Sequence, residues 1–241
     1  MSSKALLPSA VTSSLASWRC DDPVSNGKHG RSALLWSGAE RRQRPKLQLC
    51  APDDTYCRLR KVHRPEAGRW AYLEISLTSD AQRDLLALLD HYAMGVAHKK
   101  CLPWFEKPLS LDAIGSMYKP ICAPESETLH IRFEPANCNI WRVLSDGVSY
   151  GGGADGDLAE GVSFLPCFTV NGIYFKSREM GLSLTCTDVL VYPAQEWPFH
   201  LNATLLPASA SCGASLPEHE EVWDKPAVVA VASSVSEVSV R

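Results

Sequence analysis

Five side chains that carry or can accept positive charge, Arg58, Arg60, Lys61, His63 and Arg64, fall within seven consecutive positions. A predicted strand and its turn over this stretch would project alternate members to one side, the arrangement needed to meet a polyanion. Solvated loop charge is the plain alternative reading of the same residues. Aromatics at outward strand phases favour the first: Tyr72 on one strand, and Tyr174 beside Lys176 and Arg178 on another. Bases of a single nucleic-acid strand stack on aromatic faces while cations follow the phosphates, so this mixture supplies both halves of that chemistry. Phe133, Trp141 and Phe175 are equally consistent with core packing.

Other chemistries lack their signatures. Gly151 to Gly156 satisfies G-x-G-x-x-G, but a dinucleotide fingerprint needs a helix behind it, and here Asp155, Asp157 and then a strand follow; a surface loop is expected. There is no G-x-x-x-x-G-K-[ST], no G-x-S-x-G and no H-E-x-x-H, and no histidine falls beside an obvious Ser or Cys partner. Glu218, Glu220 and Glu221 read as a solvated face. Nine cysteines, with no C-x-x-C pair, fit reduced and partly buried thiols. Only His98-x-x-Cys101, with Cys122 or Cys138, approaches metal-ligand spacing, and no metal or cofactor is expected. The residues therefore point away from an enzyme.

The net charge of −3 hides an uneven distribution. Residues 41–69 carry nine Lys or Arg against three acids, residues 70–192 nine against fifteen, and residues 193–241 two against six. A basic segment thus precedes an acidic body and an acidic tail. With 241 residues, 45% of them hydrophobic, the chain suits one substantial core with appended tails. No apolar run is long enough for a membrane helix, and the N-terminus lacks a secretory pattern, so an intracellular protein without a membrane partner is expected.

The elements that must position the candidate residues follow from periodicity. Lys46–Leu49, Tyr56–Val62, Ala71–Leu77, Thr128–Phe133, Asn139–Leu144, Val162–Val170 and Gly181–Tyr192 are predicted strands. Ser79 and Gln82 form a candidate capping box for a helix whose stripe is Ala81, Leu85, Leu88, Leu89, Tyr92 and Val96, and a short second helix is predicted over Leu109–Tyr118. Phe168–Phe175 reads as a β-hairpin turning on Asn171-Gly172, the type I′ dipeptide. In the last strand the apolar phase slips across Asp188, which implies a bulge or bend. Such bends suit a mostly β (α+β) fold: a partly open, five-stranded barrel of oligonucleotide-binding type, elaborated with extra strands and with one long and one short inserted helix. A β-sandwich with an inserted helix is the competitor. Residues 1–45 read as a flexible arm, 46–193 as the domain, and 194–241 as an acidic, largely disordered tail.

AYLEISL with its capped helix, WFEKPLSLDAIGSMYKPI, LHIRF and FLPCFTVNGIYFKSREMGLSLTCTDVLVYP occur in the order found in a family of single-stranded DNA-binding proteins of large double-stranded DNA viruses of eukaryotes. The chain resembles that family, which is related in fold to phage single-stranded DNA-binding proteins, over most of residues 46–193. Trp104-Phe105-x-Lys107, Tyr118-x-Pro120 and Gly181-Leu182-Ser183 are the most specific pieces. The resemblance implies a barrel that coats exposed single-stranded DNA, with RNA as the alternative ligand, during replication, recombination or repair. On that basis Tyr174, Lys176 and Arg178 would be hairpin contacts and Tyr72 a stacking platform, beside Arg58, Arg60 and Lys61 of the basic segment, in the nucleus or at a viral replication site. The family position of Tyr174 is often tryptophan and that of Met180 often aromatic. Related phage proteins recruit replication partners through an acidic tail with a terminal aromatic; here the chain ends Ser-Val-Arg, and Glu218, Glu220, Glu221 and Asp224 beside Trp223 would have to serve. Homodimerisation, and a barrel that has lost nucleic acid and binds proteins instead, are the remaining alternatives.

Overall fold

The computed structural model describes residues 5–27, 30–38, 43–51, 56–65, 69–123, 126–144 and 150–192, apart from the Tyr150 side chain. The expected acidic tail lies outside the described residues. In chain order the elements are α1 (Pro8–Leu15), β1 (Arg19–Cys20), β2 (Val24–Ser25), β3 (Arg31–Trp36), β4 (Lys46–Gln48), β5 (Cys57–His63) and β6 (Ala71–Ser76). Then come α2 (Asp80–Lys99), α3 (Cys101–Phe105), α4 (Leu111–Met117), β7 (Thr128–Phe133), β8 (Asn139–Val143), β9 (Tyr150–Gly152), β10 (Ser163–Phe175) and β11 (Met180–Tyr192). Strands dominate.

Strand alternation builds the core. Leu59, Leu73, Ile75, Leu129, Ile131 and Phe133 point inward from β5, β6 and β7, and Phe164, Phe168 and Val170 from β10. Fully burying one such side chain stabilises the fold by about 1.5–3 kcal/mol. The pairings run β5–β6–β7–β11–β10 and return from β10 to β5, with β7 and β11 parallel. The β5–β10 and β7–β11 links are each two residue pairs long, so the sheet does not close into a continuous barrel.

Two bulges redirect the long strands. Thr187 is the extra residue where Cys167 opposes Asp188 and Phe168 opposes Cys186. On its other edge β11 pairs with β7 before this point and with β8 after it. The phase slip seen in the sequence is thus the site where β11 changes partner. Asn171 is the corresponding extra residue of β10, which pairs with β5, then β4, then, beyond Asn171, β3.

This second bulge corrects the expected hairpin. Phe168–Phe175 belongs to one continuous strand, and the chain reverses at Lys176–Glu179, where the Lys176 amide donates to the Glu179 carbonyl at 2.8 Å. Gly172 serves a close approach: a Cβ there would lie 2.1 Å from the Ala33 carbonyl oxygen. Asn171 anchors the bulge by donating from Nδ2 to Thr185 Oγ1 (2.8 Å), while its carbonyl accepts from Arg44 (3.2 Å).

The expected flexible arm over residues 1–45 is also corrected. Ala33, Leu35, Val11 and Trp18 are buried in the main core, and β3 pairs with β10 through Arg31–Leu34. Each N-terminal element is two to eight residues long, too short for a sustained period, and β3 gains its partner only from the second half of β10. The inserted helix α2 starts as expected, with Ser79 Oγ accepting from the Gln82 amide, and Gln82 Oε1 accepts from the Thr78 amide at 2.8 Å. Its buried face is Gln82, Leu85, Leu86, Leu89, Asp90, Ala93 and Ala97, turned from the predicted stripe because two hydrogen-bonded polar residues share it.

Candidate nucleic-acid interface

The antiparallel ladders set outward residues of β5, β6 and β7 in rows. His63 opposes Tyr72, which opposes Arg132; Lys61 opposes Glu74, which opposes His130; Arg58 opposes Ser76, which opposes Thr128. The inward neighbours Leu73, Ile75, Leu129 and Ile131 are buried, so the pleat presents the polar set together. Tyr72 stays 44% exposed.

Arg132 organises the centre of this face. Its Nη2 donates to Ser183 Oγ (3.0 Å) and its Nε to Thr185 Oγ1 (3.2 Å), both on β11. The guanidinium also lies 4.7 Å from the centroid of Trp70, with Arg69 5.5 Å from the same ring. Burial lowers the Arg132 pKa from its ordinary value, but an arginine at neutral pH remains charged. Two hydrogen bonds and an aromatic contact thus hold a cation whose remaining donors are uncommitted by these bonds.

A groove of about 770 Å³ runs along this face, lined by Tyr72, His130, Arg132, Ser183, Tyr174, Lys176 and Lys119 with apolar residues between. No Asp or Glu among the described residues lines it. Tyr174 opposes Gly181, where a Cβ would sit 2.8 Å from both the Tyr174 hydroxyl and the Lys119 carbonyl oxygen. The glycine therefore lets strand, tyrosine and the Lys119 segment converge. Lys176 Nζ lies 5.3 Å from the Tyr174 ring centroid and 2.8 Å from Glu179 Oε1. A second cavity of about 810 Å³ takes in Lys61, His63, Arg64 and again Tyr72, together with Asp155 and Glu160, and Arg64 Nη2 lies 2.7 Å from Asp155 Oδ1. Tyr72 is the residue common to both.

The expected contacts divide accordingly. Lys61 and Tyr72 share one cavity, and Tyr72, Tyr174 and Lys176 share the other. Arg58 and Arg60 are exposed on β5 but line neither: Arg60 donates to Thr128 Oγ1 (3.0 Å) and lies 3.8 Å from Glu74. Arg178 is exposed in the β10–β11 turn and also lines neither. His130, Arg132, Lys119 and Trp70 join the site without having been singled out. The alternation Leu129-His130-Ile131-Arg132-Phe133 held the signal for two of them, because its polar phase is opposite to its buried phase.

Glu74 is the carboxylate set among these rows. It lies 2.9 Å from His63 Nε2, and that hydrogen bond is the main cause holding its carboxyl below the usual range. Among the described residues no group of three or more His, Cys, Asp or Glu is placed to hold a metal ion, and no helix is long and apolar enough to cross a membrane.

No protein-family model and no curated protein matches the chain. Among solved structures, the chain is similar to the single-stranded DNA-binding protein of bacteriophage Enc34. A C-terminally truncated form is 11% identical, with 72% of this chain and 95% of that one covered and a TM-score of 0.40. The same phage protein in complex with single-stranded DNA is 13% identical over 73% and 96% of the two chains, with a TM-score of 0.39. Without that truncation it is 12% identical over 77% and 97%, with a TM-score of 0.40.

Proposed function

We propose that this chain binds single-stranded nucleic acid, DNA foremost, without sequence specificity, and serves replication, recombination or repair by coating exposed strands. The observation that carries this reading is the groove on the outward face of β6 and β7, where Tyr72 and Tyr174 stand among His130, Arg132, Lys119 and Lys176 with no lining carboxylate among the described residues. Stacking contributes about 1–3 kcal/mol per base and is indifferent to base identity, while the cations track phosphates. The ring of pairings β5–β6–β7–β11–β10 reads as an elaborated oligonucleotide-binding barrel. In that architecture the second and third strands, with the loops joining the first strand to the second and the fourth to the fifth, bind the ligand; here these are β6, β7, Arg64 and Trp70 at the two ends of the β5–β6 connection, and the Lys176–Glu179 turn.

Lys61, His63 and Arg64 continue the path beyond Tyr72, whereas Arg58, Arg60 and Arg178 are peripheral phosphate contacts in this reading. Titration of a labelled ~30-base oligonucleotide at low salt tests it. Binding that weakens steeply with salt and varies little among mixed sequences is expected. No binding to DNA at low salt overturns the reading, and tighter binding to RNA of the same sequence reassigns the ligand.

A further inference from the structure

One wall of the groove is the segment that leaves α4. Lys119 and Pro120 line the groove, and the Lys119 amide donates to the Met180 carbonyl at 2.8 Å, where Tyr118 and Met180 form a parallel bridge. Behind the segment lies Asp90 of α2, only 7% exposed. Its Oδ1 accepts from the Tyr118 hydroxyl at 2.6 Å and its Oδ2 from the Ile121 amide at 3.1 Å. The two bonds straddle Lys119 and Pro120. On the opposite side the Lys119 carbonyl approaches Gly181 so closely that a β-carbon there would stand 2.8 Å away. The segment is therefore clamped between a buried carboxylate and a glycine.

We propose that Asp90 is a positioning residue for nucleic-acid binding: by holding both ends of Tyr118–Ile121, it fixes Lys119 in the wall of the groove where a phosphate passes. This rests on the nucleic-acid reading of the groove. A buried carboxylate is costly to retain, and an apolar side chain would pack α2 at least as well, but it could not accept two hydrogen bonds from a segment carrying a groove cation. Lys119 is exposed and reaches the groove only as far as its backbone is held in place.

The test compares Asp90→Asn, Tyr118→Phe, Lys119→Ala and the double variant Asp90→Asn/Lys119→Ala in oligonucleotide titrations across a salt series. One phosphate contact on a single strand contributes about 0.7 to the slope of log K against log salt, so Lys119→Ala is expected to lower affinity roughly five- to tenfold at ~50 mM salt and flatten the slope by about that amount. Asp90→Asn and Tyr118→Phe are expected to reproduce part of both effects, and the double variant to lose no more than Lys119→Ala alone. Amide exchange in the unliganded protein should quicken at Lys119 and Ile121 in both variants, with β6 and β7 unchanged. Wild-type binding with Lys119→Ala impaired and with Asp90→Asn and Tyr118→Phe at wild-type affinity and slope overturns this proposal alone. So do additive losses in the double variant, which mark Asp90 as merely structural. Failure of the wild-type chain to bind overturns the parent reading and this proposal with it.

Discussion

Tyr72 of β6 and Arg132 of β7 are a directly opposed cross-strand pair on the outward face of the sheet. The tyrosine is exposed, whereas the arginine is held by Ser183, Thr185 and Trp70. A stacking surface and a fixed cation therefore stand side by side, at the spacing of adjacent strands.

Replacing Tyr72 by alanine should cost about 1–3 kcal/mol of oligonucleotide binding and less in stability, because the side chain stands on the outward face and fills no part of the buried core. Anisotropy titration and urea denaturation of the same variant separate the two. A normal affinity would remove Tyr72 from the interface. Arg132→Lys should weaken binding and stability together, since an ammonium cannot reproduce the two-point donation to β11 or the planar contact with Trp70.

Glu74 faces His63 and Arg60 in the middle of the basic rows. Glu74→Gln removes a negative charge that a phosphate would meet and releases both partners. Affinity at low salt should rise by a few-fold, and the gain should shrink as salt increases, because screening weakens exposed charge interactions. An unchanged or lower affinity would show that the strand does not pass this row.

Gly172→Ala should destabilise the fold by about 3 kcal/mol, because the new Cβ meets the Ala33 backbone, which cannot rotate away. Asn171→Ala removes the bond to Thr185 and should cost about 1 kcal/mol. Equal small effects in urea melts would contradict the packing of β3 onto β10.

Burial pushes the Asp90 carboxyl up to about 6 from 3.8, against the opposing hydrogen bonds from Tyr118 and Ile121. Between those values the folded chain holds a proton that the unfolded chain has released. This group's contribution therefore falls as pH rises from about 4 to 6 and is level above. Carboxylates held below their usual range, such as Glu74 and Glu134, act with the opposite sign at lower pH. Subtracting the Asp90→Asn profile from the wild-type profile, each measured by denaturation, isolates the Asp90 step. A flat difference between pH 4 and 7 would refute it.

Leu35 of β3 is fully buried, so Leu35→Ala should cost about 2–5 kcal/mol and expose the N-terminal segment to protease. Wild-type stability would restore the picture of an arm outside the core.

Local pattern was sufficient for the strands that alternate in place. β5, β6, β7, β8 and β11 begin and end within about two residues of their predicted bounds, and in β6 and β7 one buried face imposes period two throughout. The cap at Ser79 and the slip at Thr187–Asp188 were legible for the same reason: each depends on neighbours a few residues away. Tyr72, Tyr174 and Lys176 could be proposed from their outward phases alone.

Local sequence pattern therefore accounts for β4 to β8 and β11, the long helix and the outward phase of the aromatic and basic residues. Tertiary structure decided which of those residues meet. Asn171-Gly172 has turn chemistry, but β3 arriving from more than a hundred residues upstream makes it a bulge in a continuous strand. Residues 5–37 lack a period, yet the overhanging half of β10 gives β3 a place to pair. Lys119 and Arg132 lie far from Tyr72 in the chain and reach its groove through the α4–β11 bridge and the β6–β7 ladder. Periodicity reports the face a side chain takes, whereas strand pairing over long separations decides what stands beside it.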